Sequence, residues 1–293
     1  MRILPFLALV ATVVIWASYL VVTRLGVTGK LGWVDLGLLR SGTAALVFVP
    51  YTLKYGLFPG TTSAKDILFV AGFGGFAFVF FLATGLGFAP VADSGVFTPS
   101  MLAVWVAIFS VIFIGARYTR LQLTGLALIL GGALFLGGGA AMLAAEGGVW
   151  RGHLLFLCAS AAWAAYTVRF RVSTLTALQA TAVMATWATI FFLVCALFTG
   201  IKIQTLSPEQ LTIQVTQGVA AGVVANFTFL YAVRVLGAPL TAAAAAFVPV
   251  LAAIGGWYFL GEPVSIWQWA GVLVAAGGVA LASGFFDQQN REK

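Results

Sequence analysis

The chain has 293 residues, of which 62% are hydrophobic and only 8% are charged. A soluble domain carries about 25% charged residues, so this protein has too few charges to cover a surface that faces water. Its formal net charge is +7, but the basic residues stand singly in short polar segments. Nucleic-acid binding requires a basic patch, so the charge pattern argues against a nucleic-acid partner. The composition predicts an integral membrane protein.

A membrane-spanning helix needs about 20 mostly apolar residues, and ten segments of the chain meet this requirement. In chain order they are 3–22, 34–53, 67–88, 92–114, 121–140, 152–170, 176–198, 211–232, 238–260 and 265–285. The first segment has the composition of a signal peptide, but further spans follow it, so we interpret it as an uncleaved helix. The sequence therefore predicts an all-α membrane protein with ten transmembrane helices.

Part of the first half of the sequence recurs in the second half. The stretch WASYLVVTR begins at Trp16, and WAAYTVRFR begins at Trp163, 147 residues later. Ala89-Pro90 recurs as Ala238-Pro239, 149 residues later. Such similar shifts indicate an internal duplication with small gaps in the loops.

Each half contains five predicted spans, and five is an odd number, so the second half must enter the membrane in the opposite sense. We therefore predict two inverted five-helix repeats, 1–146 and 147–293, around a central cavity. This organisation is typical of transporters whose solute site lies between the two halves. With the N-terminus inside, ten Lys and Arg lie on the cytoplasmic side and four on the other. This imbalance predicts that both termini are cytoplasmic.

Two stretches carry a resemblance to a known family: GLLRSGTAALVFVP in the second span and FVPVLAAIGGWYFLGEPVSIWQWAGVLVAAGGVAL near the C-terminus. With the five-span halves and the Trp-rich first helix, they resemble the EamA branch of the drug/metabolite transporter superfamily over essentially the whole chain. The first half departs from the family, because GARYTR replaces its usual Gly-Glu turn. Within the branch, the aromatic loading is most similar to aromatic amino-acid exporters of the YddG type. The resemblance implies a bacterial inner-membrane exporter of amino acids or related small metabolites.

Four aromatic residues are candidates for the solute site. Trp16 and Tyr19 are three residues apart, as are Trp163 and Tyr166, so each pair shares one face of a helix. If the repeat-related faces meet at the axis between the halves, all four side chains line one cavity suited to a flat or amphipathic solute. The alternative is anchoring at the membrane interface. Their depth within the spans and their repetition favour the cavity.

Three polar or aromatic residues inside the spans are further candidates. Arg40 is the one cation well inside a span, where it either attracts the carboxylate of an amino acid or stabilises the helix. Asn226 either contacts the solute or forms an interhelical hydrogen bond. Trp105 on the fourth span is a weaker candidate. Pro99 and Pro249 interrupt the fourth and ninth spans, where each frees a backbone carbonyl.

The acidic residues Asp35, Asp66, Asp93 and Glu262 all lie near the ends of spans. Exporters of cationic drugs that are coupled to protons need a buried carboxylate, so the pattern favours a neutral or zwitterionic solute and facilitative transport. The one histidine, His153, lies at a predicted membrane edge, and no catalytic or metal-binding motif is present. We expect no enzyme activity, no metal and no cofactor, and we expect a monomer in the lipid bilayer. A flippase for a lipid-linked precursor, or an exporter of a drug-like compound, on the same fold remains the alternative.

Overall fold

The structure is a computed structural model, and within the residues it describes the chain has helices and turns but no strand. It describes residues 3–60, 62–143, 148–236 and 244–286, with the side chains of 136–143, 230, 233 and 234 excepted. The predicted all-α class is confirmed. The repeat match at Ala238-Pro239 and the terminal charges used to predict orientation lie outside the described residues.

Ten principal helices follow one another within the described residues. They are α1 Leu4–Thr28, α2 Trp33–Tyr55, α3 Ala64–Gly85, α4 Val91–Ile114, α5 Arg120–Leu143, α6 Val149–Val172, α7 Ala177–Thr199, α8 208–236, α9 Phe247–Leu260 and α10 Ile266–Ala282. Of these, α1 to α4 and α7 are long and apolar enough to cross a membrane. The predicted spans agree within a few residues, except that α1 extends to Thr28 and the start of the ninth span is not described.

Local sequence signals fix several helix ends. The hydroxyls of four N-cap residues each accept a hydrogen bond from the backbone N–H three residues later, in a capping box. These residues are Ser63, Thr176, Ser207 and Ser265. At the other end, α4 and α9 both stop at a left-handed glycine, Gly115 with φ 70° and Gly261 with φ 66°. Glycine adopts this conformation without steric cost. The two repeats therefore end the equivalent helix with the same residue type.

The helices pack with a twofold pattern between the two halves. Helix α1 packs on α8 and α9, and its repeat mate α6 packs on α3 and α4. The repeat-related pairs α2 with α7, α4 with α9, and α5 with α10 also pack on each other. We call the end of the bundle that holds the α1–α2 connection end A, and the opposite end B. Each helix therefore has its main neighbours in the other half or at the axis between the halves.

The contacts at end A show the opposite sense of the two repeats. Arg24, in the last turns of α1, donates a hydrogen bond to the carbonyl of Leu86, just before α4 begins. His153, in the first turns of α6, bonds Asp93 in the first turn of α4. Helix α6 therefore begins at the end where its repeat mate α1 finishes. The predicted fold of two inverted five-helix repeats is confirmed.

Candidate functional site

Four of the helices around the molecular centre contain a π-helical segment. These segments are Leu38–Gly42 in α2, Leu68–Ala77 in α3, Val96–Ser100 in α4 and Ala220–Val224 in α8. A π segment inserts an extra residue into the helical repeat, which re-aims the side chains beside it, and such segments are frequent at functional sites. In α4 the segment contains Pro99, which has no N–H to donate to the preceding turn.

A cavity of about 80 Å³ lies between the two halves, with walls from α1, α2, α3, α4, α6, α8 and α9. Its lining residues are Trp16, Tyr19, Leu20, Arg40, Phe78, Thr98, Pro99, Leu102, Ser160, Trp163, Ala221 and Val248. Pockets that hold drug-sized ligands measure about 300–1,000 Å³. This conformation is therefore contracted, and a solute larger than a few atoms requires the walls to move apart.

The centre of this cavity is an arginine enclosed by aromatic rings. The guanidinium carbon of Arg40 lies 4.6 Å from the ring centre of Tyr19. Its distances to the ring centres of Phe78 and Trp163 are 5.2 and 5.8 Å. The negative faces of the rings attract the cation, which is how an apolar site tolerates the charge. Among the described residues, the guanidinium has no ion pair and donates no hydrogen bond. Its five N–H donors remain available to a ligand.

A small polar group faces the same cavity from α4 and α6. The hydroxyl of Ser160 donates a hydrogen bond of 2.8 Å to the backbone carbonyl of Thr98. The hydroxyl of Thr98 is buried and has no hydrogen-bond partner within the part of the chain that the structure describes. Leaving such a group unpaired costs about 1–3 kcal/mol, a penalty that a bound polar ligand removes. The described wall therefore includes one cation and several aromatic rings, with an unpaired threonine hydroxyl buried beside them.

The structure brings together four of the seven residues that the sequence singled out. Trp16, Tyr19, Arg40 and Trp163 all line the central cavity. Tyr166 does not line the cavity. Its ring contacts the ring of Trp163 edge-on, with centres 5.3 Å apart. Its position in the structure is that of a support for Trp163.

The other two candidates lie elsewhere. The ring of Trp105 packs near Phe109 on the same helix, with centres 5.9 Å apart, and its buried indole N–H has no partner among the described residues. The side-chain amide of Asn226 donates a hydrogen bond of 3.1 Å to the carbonyl of Gly222, one turn earlier in α8. Neither residue lines the central cavity.

Sequence reasoning missed seven of the described residues of the cavity wall: Leu20, Phe78, Thr98, Leu102, Ser160, Ala221 and Val248. Phe78 and Thr98 show why. Phe78 is one of six phenylalanines in α3, and nothing in the sequence distinguishes it from its neighbours. Thr98 is an ordinary threonine in an apolar span. Its one signal is the following residue, Pro99, which marks a break in the helix.

At end A, an ion pair joins the two halves. The guanidinium of Arg24 in α1 donates to the carboxylate of Glu262, which follows α9, at 2.6 Å. The second oxygen of Glu262 accepts the backbone N–H of Val91 at the start of α4, at 2.9 Å. This carboxylate thus links α1, α4 and α9 in one place.

A second buried polar cluster lies at the same end. The imidazole Nε2 of His153 lies 2.8 Å from one carboxylate oxygen of Asp93. The amide of Gln268 donates to the other oxygen at 2.9 Å, and the ring of Phe97 stacks on the imidazole with centres 4.4 Å apart. The cluster joins α4, α6 and α10. We call these two groups of contacts together the end-A seal.

At end B, one ion pair joins helices of different halves within the described residues: Arg169 of α6 and Asp66 of α3, 2.9 Å apart. Beside it lies a separate groove of about 620 Å³, which we call the α3–α4–α6 groove. Its lining residues are Lys65, Phe69, Phe73, Phe81, Phe109, Phe113, Ile114, Cys158, Ala161, Ala162, Ala165, Val168, Arg169 and Val172. As far as the structure describes the chain, the groove and the central cavity have no lining residue in common. The walls of the groove are apolar except for Lys65 and Arg169, which lie at end B.

Comparison with known proteins agrees with this architecture. The model of the EamA-like transporter family matches the chain twice, over residues 3–138 and 150–284. A solved crystal structure of another protein aligns over 100% of both chains, with a TM-score of 0.66 and 19% sequence identity. At that identity the likeness bears on the fold alone. No curated protein matches the sequence.

Proposed function

The chain belongs to the EamA-like transporter family, and from this premise we propose that it exports amino acids, with a preference for aromatic ones. As a member of that family, it is a multi-pass membrane transporter of small solutes and not an enzyme. In our proposal it works as a monomer in a bacterial inner membrane, with both termini in the cytoplasm. The solute crosses by alternating access through the central cavity.

The observation that carries this proposal is the caged guanidinium of Arg40. A carboxylate binds guanidinium through two parallel, charge-assisted hydrogen bonds, and Arg40 has all of its donors free among the described residues. The rings of Tyr19, Phe78 and Trp163 now pack around the cation. When the guanidinium turns towards a carboxylate, these ring faces become available to an apolar or aromatic side chain. The hydroxyl of Thr98 is buried beside the cavity in this conformation, and it becomes a second polar contact for the head group when the walls move apart.

The charge of the cavity wall bears on whether transport is coupled to protons. None of the described lining residues is a carboxylate, so this part of the wall has no acid to carry a proton with the solute. We propose that the solute moves down its own gradient, which for an amino acid made in the cell is outward. Opening towards end A requires the contacts between α1, α4, α6, α9 and α10 in the end-A seal to separate.

A flippase for a lipid-linked precursor is the second candidate, and the α3–α4–α6 groove is the observation that favours it. A long apolar groove at the side of the bundle suits a lipid chain. However, a flippase has to carry a polar head group across the membrane, and the polar cavity and this groove have no described lining residue in common. The amino-acid proposal gives Arg40 and the ring faces a role in binding the solute. The flippase proposal gives them none.

The test is reconstitution of the purified protein in liposomes with labelled phenylalanine, tryptophan and threonine, with and without a pH gradient. We expect the aromatic amino acids to enter down their own gradient, to compete with one another and to be unaffected by a protonophore. Strict dependence on a proton gradient would rule out the facilitative mechanism. If no amino acid moves while a lipid-linked precursor is flipped, the substrate proposal is wrong.

A further inference from the structure

We propose that the α3–α4–α6 groove binds an anionic phospholipid, with an acyl chain along the groove and the head group at Lys65. This inference goes beyond transport and does not depend on which solute the central cavity carries. It concerns a separate face of the bundle, because the groove and the cavity share no described lining residue.

The shape of the groove matches an extended hydrocarbon chain. Small residues of α6, such as Ala162 and Ala165, lie on one side, and bulky rings of α3 and α4, such as Phe73 and Phe113, lie on the other. On α3 the lining runs from Lys65 to Phe81, a distance of about 24 Å along the helix at 1.5 Å per residue. One leaflet contributes about half of the 30 Å hydrocarbon core. The groove is therefore long enough for one acyl chain that lies parallel to the helices.

The charge of the groove is confined to one end. At end B its lining includes Lys65 and Arg169, whereas its deep part beside Phe81 and Cys158 is apolar. Arg169 is already paired with Asp66, although 31% of its side chain stays exposed. Lys65 is exposed and has no ion pair among the described residues. A cationic mouth above an apolar slot is complementary to a lipid with a negative phosphate head group.

Other occupants fit these features less well. A free amino acid would leave most of the apolar length unfilled, and a zwitterionic lipid places a positive group beside the lysine as well as a phosphate. A second copy of the chain would need a helix to enter the groove, and Phe113, with 73% of its surface exposed, stands at its edge. An anionic phospholipid satisfies the apolar length and the charge together.

The chain carries its own probe of the groove. Cys158 lies in the deep part of the groove and is exposed, whereas Cys195 on α7 lies outside it. We would measure maleimide labelling of both cysteines in the unmodified protein in neutral detergent, by peptide mass spectrometry. Phosphatidylglycerol or phosphatidylcholine with the same chains is added in increasing amounts. We expect phosphatidylglycerol to slow the labelling of Cys158 at a lower concentration than phosphatidylcholine does. The labelling rate of Cys195 should not change with either lipid.

Two variants test separately where the head group and the acyl chain of the lipid bind. Lys65→Gln should weaken the protection by phosphatidylglycerol about fivefold, the effect of losing one cation near the head group. Lys54→Gln is the matched control, because Lys54 also lies near end B but contacts the ring of Tyr55 outside the groove. Ala165→Phe fills the groove and should abolish retention of phosphatidylglycerol in native mass spectra.

Three results would overturn the proposal. The first is equal protection of Cys158 by the two lipids, which would show only general solvation by lipid tails. The second is protection by phosphatidylglycerol that survives Lys65→Gln. The third is slow labelling of Cys158 without added lipid, in a sample whose native mass spectra show a dimer. That result would assign the groove to a second copy of the chain. None of these measurements requires transport, so they stand or fall separately from the export experiment.

Discussion

At the scale of single residues, Arg40 determines what the central cavity can recognise. A charge without a partner in a membrane span costs several kcal/mol, so its retention in an apolar wall needs a compensating interaction. The ring faces of Tyr19, Phe78 and Trp163 supply part of it, about 0.5–2 kcal/mol for a cation–π contact. A hydrogen-bonded carboxylate would supply more, which is why we interpret this guanidinium as a ligand-binding group.

Replacement of Arg40 by Gln should therefore affect solutes that have a carboxylate more than those that lack one. Hydrogen bonds to a charged group contribute about 1.5–3 kcal/mol, or roughly ten- to hundredfold in affinity. We expect phenylalanine transport to fall by about that factor, whereas phenylalanine amide should be much less affected. Initial rates in liposomes, normalised to the folded protein recovered, measure the difference. An equal loss for both solutes would mean that Arg40 is structural.

The aromatic wall gives a second test at this scale. Trp163→Ala should reduce transport while folded protein remains in the membrane, because the indole is a face of the cavity. Trp16→Ala and Tyr19→Ala should do the same, and Tyr166→Ala should act indirectly by releasing Trp163. The matched control is Trp105→Ala, the same change at a tryptophan that does not line the cavity. Normal transport by all four variants would leave these residues with a role in packing or anchoring only.

The sequence predicted the site where side-chain type and periodicity carry the information. Trp16 and Trp163 are recognisable because they recur at the same place in two repeats, and Arg40 because a charge is rare in a span. Phe78 and Thr98 are not recognisable, because their role depends on π segments that rotate the helix faces. A π segment arises from packing between helices and has no composition of its own. The single local sign was a proline, Pro99.

At the scale of elements, the closest packing joins the repeat-related helices α5 and α10. A Cβ atom on Gly125 would lie 2.6 Å from the carbonyl oxygen of Gly278, and one on Gly278 would lie 2.7 Å from that of Gly125. Both distances are too short for real contacts. Two helix backbones touch here, and van der Waals packing of small residues is the main force that joins helices within a bilayer.

Two adjacent glycines of α10 make a matched pair for testing this packing. Gly278→Ala should push α5 and α10 apart and lower the midpoint of thermal unfolding in detergent. Gly277→Ala should leave it unchanged or raise it, since a Cβ there meets nothing within 4 Å and alanine stabilises a helix by about 1 kcal/mol over glycine. Differential scanning fluorimetry on both variants measures the contrast. Equal effects would show that the contact between α5 and α10 does not limit stability.

At the scale of the whole molecule, the distribution of charge predicts how the protein is oriented in the membrane. The excess of Lys and Arg on one side predicts that both termini are cytoplasmic. End A would then face out of the cell. Alkaline phosphatase and green fluorescent protein fused in turn to each terminus should give fluorescence without phosphatase activity. Phosphatase activity at either terminus would reverse the assignment of the two ends.

The end-A seal then has to open in every transport cycle, and its contacts should set the balance between the two conformations. Glu262→Gln removes the charge that holds Arg24, and the Asp93→Asn change weakens the bond to His153. We expect each loss to favour a state that is open at end A, because these contacts join helices of the two halves at that end. In a background where Cys158 and Cys195 are replaced by serine, the Ser160→Cys change places one thiol in the cavity wall. Its labelling by a membrane-impermeant reagent reports the shift. We expect labelling from the outside to be faster in both variants. In the control Glu209→Gln, whose residue lies outside the seal, the labelling rate should not change. Unchanged labelling with either variant would mean that other contacts close end A.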